Sequence, residues 1–410
     1  NFYNVAVGYQ AGKLVTTGIN NTIIGGLAGD ALTTGAYNVA LGYAALSTED
    51  TGNKNIAIGF QALVNQNVDG DIYNVAIGHN AGAAVTTGTF NTLVGGLSGD
   101  ALTDGNTNVA IGYATLSSET RGDRNVAIGN AALQSQNNTS DVDAYNIAIG
   151  FNAGQAITTG TQNVIIGGLA GDALTTGAEN VVIGLEALST EDAHGKNVAI
   201  GHQALKVQDA GADARNVAVG YQAGLDLTNG IKNVFVGNSA GENVTEGQYN
   251  TLLGANAGDA LTTGDNNVVI GYNSAASAVD VNNEVNIYNG TVTARFQGSA
   301  SSWSFVSDAR DKKDIEDLQL GVEFINKLKP RKFKWNHRHT DSDKGKQASG
   351  FIAQEVQEVL DNEGIDYSGI VDTNNPDQYT VAQANIIPML VKSIQELSAE
   401  VKELKKQING

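Results

Sequence analysis

The sequence predicts a mainly β protein, in which a solenoid of sixteen repeats precedes a small α+β domain that ends in a coiled-coil helix. Three observations support this fold class. The pattern Asn-h-x-h-Gly, with h apolar, recurs in steps of mostly 17 residues through residues 1–279. Fifty glycines and 6% aromatic residues suit thin stacked layers better than a broad globular core. The last residues repeat apolar side chains at heptad spacing.

Composition excludes several classes of function. A formal net charge of −19 argues against nucleic acid as a partner, because binding phosphates requires a basic surface. The chain has no cysteine, and therefore no disulfide, thiolate metal site or thiol nucleophile. No apolar run is long enough to cross a bilayer as a helix, so membrane insertion is not expected. We predict no cofactor.

No metal site is predicted either. Aspartates do recur at one position of the repeat, but only about once in four units. A calcium cage needs six to eight oxygen ligands, and this spacing is too sparse to supply them. Solvated turns are the preferred interpretation for these aspartates, which are Asp30, Asp100, Asp172 and Asp259.

The repeat region is predicted to occupy residues 1–279 and to form a shaft or adhesin. Each unit opens with an asparagine, and the units group into fours because every fourth step of the first three groups is longer. The opening residues are Asn4, Asn21, Asn38, Asn55, Asn74, Asn91, Asn108, Asn125, Asn146, Asn163, Asn180, Asn197, Asn216, Asn233, Asn250 and Asn267.

Each unit is expected to form one coil. Alternation after the asparagine predicts a short strand, with Val5 and Val7 on one side and Ala6 on the other. Gly8 then closes the strand, and a second short strand and a Thr-Thr-Gly turn return the chain to the next asparagine. The asparagine itself is interpreted as a turn residue or as a member of an internal amide ladder.

An aromatic residue or histidine often follows the strand glycine. Such a row suits either a carbohydrate-binding stripe or packing between neighbouring chains, and packing is the preferred interpretation. The row consists of Tyr9, Tyr43, Phe60, His79, Tyr113, Phe151, His202, Tyr221 and Tyr272.

On the Asn-h-x-h-Gly units, residues 1–279 resemble the left-handed β-roll heads of trimeric autotransporter adhesins, whose repeats carry a similar N-x-V-A-I-G core. The resemblance implies a homotrimer in which each chain forms its own β-roll. A β-helix intertwined among three chains remains an alternative. Residues 280–306 are predicted to form a β-hairpin neck, because two alternating segments flank Asn289-Gly290.

The segment S-D-A-R-D-K-K-D-I marks a change of architecture. Ser307, Asp308, Arg310, Lys312 and Ile315 match the signature S-D-x-R-x-K-x-x-I. The glycine-rich repeats end upstream of it, and all three prolines of the chain lie downstream.

A second motif, G-F-I-A-Q-E-V, supplies Gly350, Phe351, Gln354 and Glu355. With the heptad helix behind them, the two motifs resemble the intramolecular chaperone auto-processing domain of endosialidase tailspikes and other phage fibres. We therefore expect such a domain at residues 307–386.

The resemblance implies one self-cleavage event. Ser307 would attack the carbonyl of Val306 while Lys312 accepts the serine proton, which is a known variant of triad chemistry. Asp308 and Arg310 would hold the loop. Asp311 departs from the family pattern, which has an apolar residue there, and this change is expected to slow cleavage at most. No multiple-turnover enzyme activity is expected.

Residues 387–410 are predicted to form a coiled coil. β-branched residues at a with leucine at d favour two strands, whereas the two resemblances imply three, and we expect three. The seam contains Ile387, Leu390, Ile394, Leu397, Val401, Leu404 and Ile408.

Together these features predict the C-terminal part of a bacteriophage tail fibre or tailspike. It would assemble in the host cytoplasm, join upstream tail or fibre proteins in the virion, and contact a host glycan or protein receptor. The alternatives are a bacterial trimeric surface adhesin, or a polysaccharide-depolymerising tailspike whose catalytic domain lies upstream of these residues. Because Asn1 lies inside a repeat, a longer protein is expected.

Overall fold

The computed structural model describes residues 3–290, 293–297, 304–305, 312–334, 345–365, 369–373 and 379–409. The chain divides into two compact units, Asn1–Val306 and Ser307–Gly410. Each unit is described by itself below.

The first unit is a β-solenoid of about 17 turns, which confirms the predicted fold class. Successive coils each contribute one strand to a parallel sheet, and we number the coils by these strands. In order they are Val5–Val7, Thr22–Ile24, Val39–Leu41, Ile56–Ile58, Val75–Ile77, Thr92–Val94, Val109–Ile111, Val126–Ile128, Ile147–Ile149, Val164–Ile166, Val181–Ile183, Val198–Ile200, Val217–Val219, Val234–Val236, Thr251–Leu253, Val268–Ile270 and Glu284–Tyr288.

The coils are hydrogen-bonded within one chain. Val39 N–H, for example, donates to Asn55 O at 2.8 Å, and Gly42 N–H donates to Ile24 O at 2.8 Å. Neighbouring strands pair in register, with Ala40 opposite both Ile23 and Ala57. The solenoid is therefore built from successive coils of a single chain.

The middle residue of each strand points into the coil. Ala40, Ala57 and Ala148 are fully buried, whereas Val39 and Leu41 on either side of Ala40 remain partly exposed. Leucine and isoleucine side chains from the opposite side of the coil, such as Leu32, complete a narrow core.

The asparagines form the predicted amide ladder. Asn91 N–H donates to Asn74 Oδ1 at 2.8 Å, and Asn91 Oδ1 accepts the N–H of Asn108 at 2.9 Å. The amide nitrogen of Asn91 donates to Gly105 O at 2.8 Å, across the coil. These asparagines are buried, so each ladder bond satisfies backbone groups that water does not reach.

The prediction of a second strand in each coil is wrong for most coils. The chain turns instead through residues in the left-handed region, such as Gln10 at φ 55° and Leu27 at φ 60°. Outside the main sheet of this unit, the described residues add only the pair Gly122–Asp123 and Val142–Asp143 and a bridge from Asn53 to Asp71. Turns rather than strands therefore form the remaining sides of the coil, and these turns also hydrogen-bond from coil to coil, as Gly29 N–H does to Ala45 O at 2.9 Å.

The strand glycine is required by close stacking. Gly8 has a φ of 135°, and a Cβ there would lie 2.5 Å from the carbonyl oxygen of Gly25 in the next coil. A larger residue would force the two coils apart.

An antiparallel pair of strands lies at the end of the solenoid. The strand Glu284–Tyr288 adds a coil beyond the sixteen expected and pairs with Thr293–Gln297 in antiparallel fashion. A short strand, Ser304–Phe305, pairs with Thr293–Gln297 in turn. Arg295 reaches the buried Glu284 at 3.5 Å.

The second unit is a small α+β domain. Its helices are α1 (Val322–Lys327), α2 (Ala353–Asn362) and α3 (Ile387–Asn409), the last preceded by a 3-10 turn at Gln383–Ile386. Its strands are Arg331–Lys334 with Gln347–Gly350, and Val371–Asp372 with Thr380–Val381.

The second unit has a short first helix and a core formed by apolar side chains of all three helices. The first helix, α1, has only six residues, and residues 312–320 before it are mostly exposed. Phe324, Val356, Leu360 and Met389 pack together in the core of the unit. No described helix has both the length and the apolar character that crossing a membrane requires.

Candidate functional site

The outward side of the solenoid sheet carries four columns of side chains, which we call the outer face. Column 1 is the residue before the ladder asparagine, columns 2 and 3 are the first and third strand residues, and column 4 follows the strand glycine. In coil 3 these are Tyr37, Val39, Leu41 and Tyr43. Tyr37 and Tyr43 are 54% and 51% exposed.

Columns 2 and 3 are almost entirely valine, isoleucine, leucine or threonine from coil 1 to coil 17. Most are half-buried by their neighbours in the sheet, and Leu253 is still 46% exposed. A continuous apolar surface of this length on one chain is typical of a protein interaction site.

Column 4 contains the row of aromatic residues and histidines that follow the strand glycines. Its rings stack along the solenoid, with Tyr43 5.6 Å from Phe60 and Phe60 5.1 Å from His79 between ring centroids. His202 and Tyr221 stack in the same way at 5.2 Å. These rings extend the apolar surface sideways.

Column 1 is mixed and holds several basic residues. Lys54 lies over the ring of Tyr73, 4.8 Å from its centroid, and also donates to Asp71 at 2.6 Å. Arg124 lies over Tyr145 in the equivalent place one group of four coils later. Cation–π contacts of this kind stabilise exposed rings while keeping the charge in water.

Three buried glutamates hold the longer loops in place. Each accepts a hydrogen bond from a glutamine one coil further on, in the pairs Glu49–Gln66, Glu119–Gln136 and Glu191–Gln208. The Glu119 carboxylate also accepts the N–H groups of Gly122 and Asn138 at 2.8 and 3.0 Å. The amide of Gln136 links this network to the ladder by accepting from Asn146 at 2.9 Å.

A group of possible metal ligands lies at the third of these loops. Ligand atoms of Glu191, Asp192 and His194 lie within 4.8 Å of one another. Glu191 is already bonded, however, because it accepts the N–H groups of His194 and Ala210 at 3.1 and 3.2 Å. Glu119 makes the same kind of loop contacts with no histidine beside it, so loop anchoring accounts for Glu191 without a metal.

Of the five predicted cleavage residues, one lies within the part of the chain that the structure describes. Val306, Ser307, Asp308 and Arg310 lie outside the described residues. Lys312 is described and its side chain is exposed. The Ser-Lys pair therefore stays a prediction from sequence.

The second motif lies where a strand passes into α2. Gly350 pairs with Arg331 across the antiparallel sheet, Phe351 packs against the core of the unit, and Gln354 is exposed. Glu355 accepts two hydrogen bonds from the Arg331 guanidinium, from Nε at 2.9 Å and from Nη2 at 2.6 Å. This contact lowers the pKa of Glu355 and raises that of Arg331. Sequence spacing gave no sign of this pair.

The terminal helix packs on the unit along only one side. Met389 and Ser393 are buried, and the Glu396 carboxylate accepts the Val322 N–H at 2.8 Å, which caps the start of α1. A Cβ on Gly321 would displace that carboxylate from its place at the start of α1.

All seven predicted seam residues lie on the exposed side of α3. Their exposed fractions range from 43% at Leu390 to 80% at Ile408. Val391, 49% exposed, adds to the same apolar side. A helix with this much exposed apolar surface is typical of a coiled-coil partner.

Comparison with known proteins identifies part of the second unit. Residues 307–365 match the family model described as chaperone of endosialidase. The searches of curated proteins and of solved structures each returned no match. The C-terminal unit therefore contains a chaperone domain of the endosialidase type, which supports a trimerisation role like that in tail fibres and tailspikes.

Proposed function

We propose that this chain belongs to a bacteriophage tail fibre or tailspike that assembles as a homotrimer. The match of residues 307–365 to the endosialidase chaperone is the observation that carries the proposal. On this proposal, the protein is assembled in the host cytoplasm and resides in the virion.

The two exposed apolar surfaces support association with other copies of the chain. In the proposed trimer, the outer faces of three solenoids meet along the axis, and three copies of α3 form a coiled coil. Burying both surfaces removes from water the side chains that a single chain leaves exposed. The three-fold order rests on the family, since the heptad residues alone favour two strands.

The chaperone has a clear physical task in this assembly. Near-identical coils can pair in several registers, and a shift by one coil would cost little locally. A short coiled coil at the C-terminus would align the three chains before the outer faces meet. We propose that self-cleavage between Val306 and Ser307 then releases residues 307–410 and leaves a shaft that cannot refold, stable for kinetic reasons.

Adjacent lysines allow a matched test of cleavage. Intact masses of the full chain, measured under denaturing conditions, are compared with those of Lys312→Ala, Lys313→Ala and Ser307→Ala. We expect fragments 1–306 and 307–410 from the full chain and from Lys313→Ala, but an uncut chain from Lys312→Ala and Ser307→Ala. Cleavage in Lys312→Ala at the normal rate would exclude Lys312 as the base.

Trimer formation is measured separately on the same samples. Native mass spectrometry of uncut Ser307→Ala should give three chains per particle. A stable monomer or dimer would refute the proposed assembly even if cleavage occurred. A trimer without cleavage would mean that the chaperone remains attached to the fibre.

We further propose that the solenoid contacts a host glycan or protein receptor. The longer loops at the ends of coils 4, 8 and 12 are the places where the coils depart from their common shape. A glycan array probed with the cleaved solenoid trimer tests the glycan case. Binding of intact host cells without any glycan signal would favour a protein receptor, and no binding of either would favour a purely structural shaft.

A further inference from the structure

Column 4 of the outer face is interrupted at regular intervals by glycine. Gly26, Gly96 and Gly168 occupy the positions that hold Tyr43, Phe60 or other side chains in neighbouring coils. They lie in coils 2, 6 and 10, four coils apart, whereas coil 14 has Asn238 at this position. We call these three positions the notches.

The chain itself does not require glycine at the notches. None of the three has a positive φ, and the nearest atom to an added Cβ would be a ring or methyl carbon of Tyr43, Tyr113 or Leu185 at 3.4–3.6 Å, an ordinary contact. Every other glycine in the described coils except Gly211, at a loop tip, has a positive φ or would bring a Cβ within 3.0 Å of another atom.

Crowding within column 4 does not explain the notches either. Tyr43, Phe60 and His79 occupy this column in three successive coils, and their rings stack without steric conflict. Leu185 shows that an aliphatic side chain also fits there. The missing side chains therefore make room for something outside the chain.

We propose that each notch receives the column 1 side chain of the same coil in a neighbouring copy of this chain. This inference rests on the proposed trimer and specifies its register. With three outer faces around one axis, column 4 of each chain adjoins column 1 of the next at the same height. The side chains that enter the notches are Asn20 at Gly26, Phe90 at Gly96 and Gln162 at Gly168.

Phe90 is the most informative of these side chains. It is 55% exposed, and Tyr73 stacks against it at 5.8 Å between centroids. In register, Phe90 lies over Gly96 and loses its exposed area to the neighbouring chain. A shift by one coil would instead press Phe90 against His79 or Tyr113. The notches thus discriminate between registers that the strands alone do not distinguish.

The absence of cysteine from the chain makes a direct test possible. Phe90→Cys and Gly96→Cys are combined in the full chain, uncut because it also carries Ser307→Ala, and mildly oxidised. Within one chain the two positions are separated by roughly 20 Å of extended backbone, far beyond disulfide reach. We expect covalent trimers on denaturing gels, because each chain would bond to the next around the axis.

Mismatched pairs serve as controls for the register. Phe90→Cys with Gly26→Cys places the two thiols four coils apart, and no covalent species should form. Gly96→Cys combined with Tyr73→Cys or Thr107→Cys reports a shift by one coil. Cross-linking of either shifted pair in preference to the Phe90→Cys pair would overturn the proposed register.

Native mass measured before oxidation separates the two proposals. A trimer in which the Phe90→Cys pair does not cross-link refutes the notches but leaves the trimer intact. A monomer refutes the trimer and the notches together.

A second substitution tests the notch without cysteine. Gly96→Leu should lower the temperature at which the trimer dissociates, whereas His79→Leu, in the same column of the preceding coil, should change it little. Equal dissociation temperatures for the two variants, with circular dichroism unchanged, would also contradict the proposal.

Discussion

Replacing Asn91 by alanine tests how much one rung of the amide ladder contributes to the solenoid. The side chain makes two hydrogen bonds that alanine cannot replace: it accepts from the Asn108 N–H at 2.9 Å and donates to Gly105 O at 2.8 Å. Both partner groups lie inside the coil stack, where water cannot compensate for the loss. The substitution therefore leaves one buried donor and one buried acceptor unsatisfied.

The size of the effect follows from these two groups. A buried backbone group without a partner costs about 1–3 kcal/mol, so the expected loss is roughly 2–6 kcal/mol for local opening of coils 6 and 7. At about 1.4 kcal/mol for each factor of ten, hydrogen exchange there should accelerate roughly 30-fold to 10⁴-fold. Coils far from the substitution should change much less, because each coil contacts only its neighbours.

Hydrogen exchange followed by mass spectrometry measures this opening in the native assembly. Peptides covering residues 91–124 are compared between the unsubstituted chain, Asn91→Ala and Asn130→Ala. Asn130 is exposed in column 4, so its truncation should alter exchange by less than about 0.5 kcal/mol. If Asn91→Ala accelerates exchange no more than Asn130→Ala, the ladder does not stabilise the coils as argued here.

Three further predictions concern other parts of the chain. Burial raises the pKa of Glu49, although hydrogen bonds from Gln66, Gly52 and other groups oppose this rise. The folded state therefore binds the Glu49 proton more tightly than the unfolded state does. The contribution of Glu49 to the stability of this loop should be complete below the ordinary carboxyl pKa and should be lost as the pH rises through the raised pKa. In Glu49→Gln, hydrogen exchange of the loop should no longer show this pH dependence. Arg331 lowers the pKa of Glu355. The ion pair between these two residues should therefore stabilise α2 above the ordinary carboxyl pKa and lose its effect as the pH falls through the lowered pKa. Glu355→Gln should abolish this pH dependence in exchange of residues 353–362, and an unchanged profile would contradict the pairing. Deleting residues 387–410 should give monomeric or aggregated solenoid, and soluble SDS-resistant trimers from this deletion would show that the coiled coil is dispensable.

The sequence did not predict which side of each strand faces the interior of the coil. Alternation predicted that Val39 and Leu41 share one side of the strand and Ala40 takes the other. It did not say which side lies inside, and the larger residues would have been the usual choice for a core. The inner position holds alanine in nine coils and a larger, fully buried apolar residue in seven others, such as Ile23, Leu93 and Phe235. Closure of the coil, with Leu32 and its equivalents facing the strand from the opposite side, therefore decides which strand residue lies inside, and side-chain size does not.

The sequence alone determined the features that depend on local spacing. The 17-residue steps, the ladder asparagines and the heptads of α3 each follow from residues at fixed separations along the chain. The motif that begins at Ser307 also needed only its spacing, and its Ser-Lys chemistry remains a prediction on that basis.

Only the tertiary structure determined which residues far apart in the sequence are in contact. Arg331 pairs with Glu355 and Glu396 caps α1 at Val322, and neither contact follows any period of the sequence. The outer face likewise becomes a single surface only when seventeen coils stack in register, since one coil exposes too little apolar area to indicate a partner. Short-range patterns fix how the backbone turns, whereas packing of the finished coils fixes which side chains remain exposed for another chain.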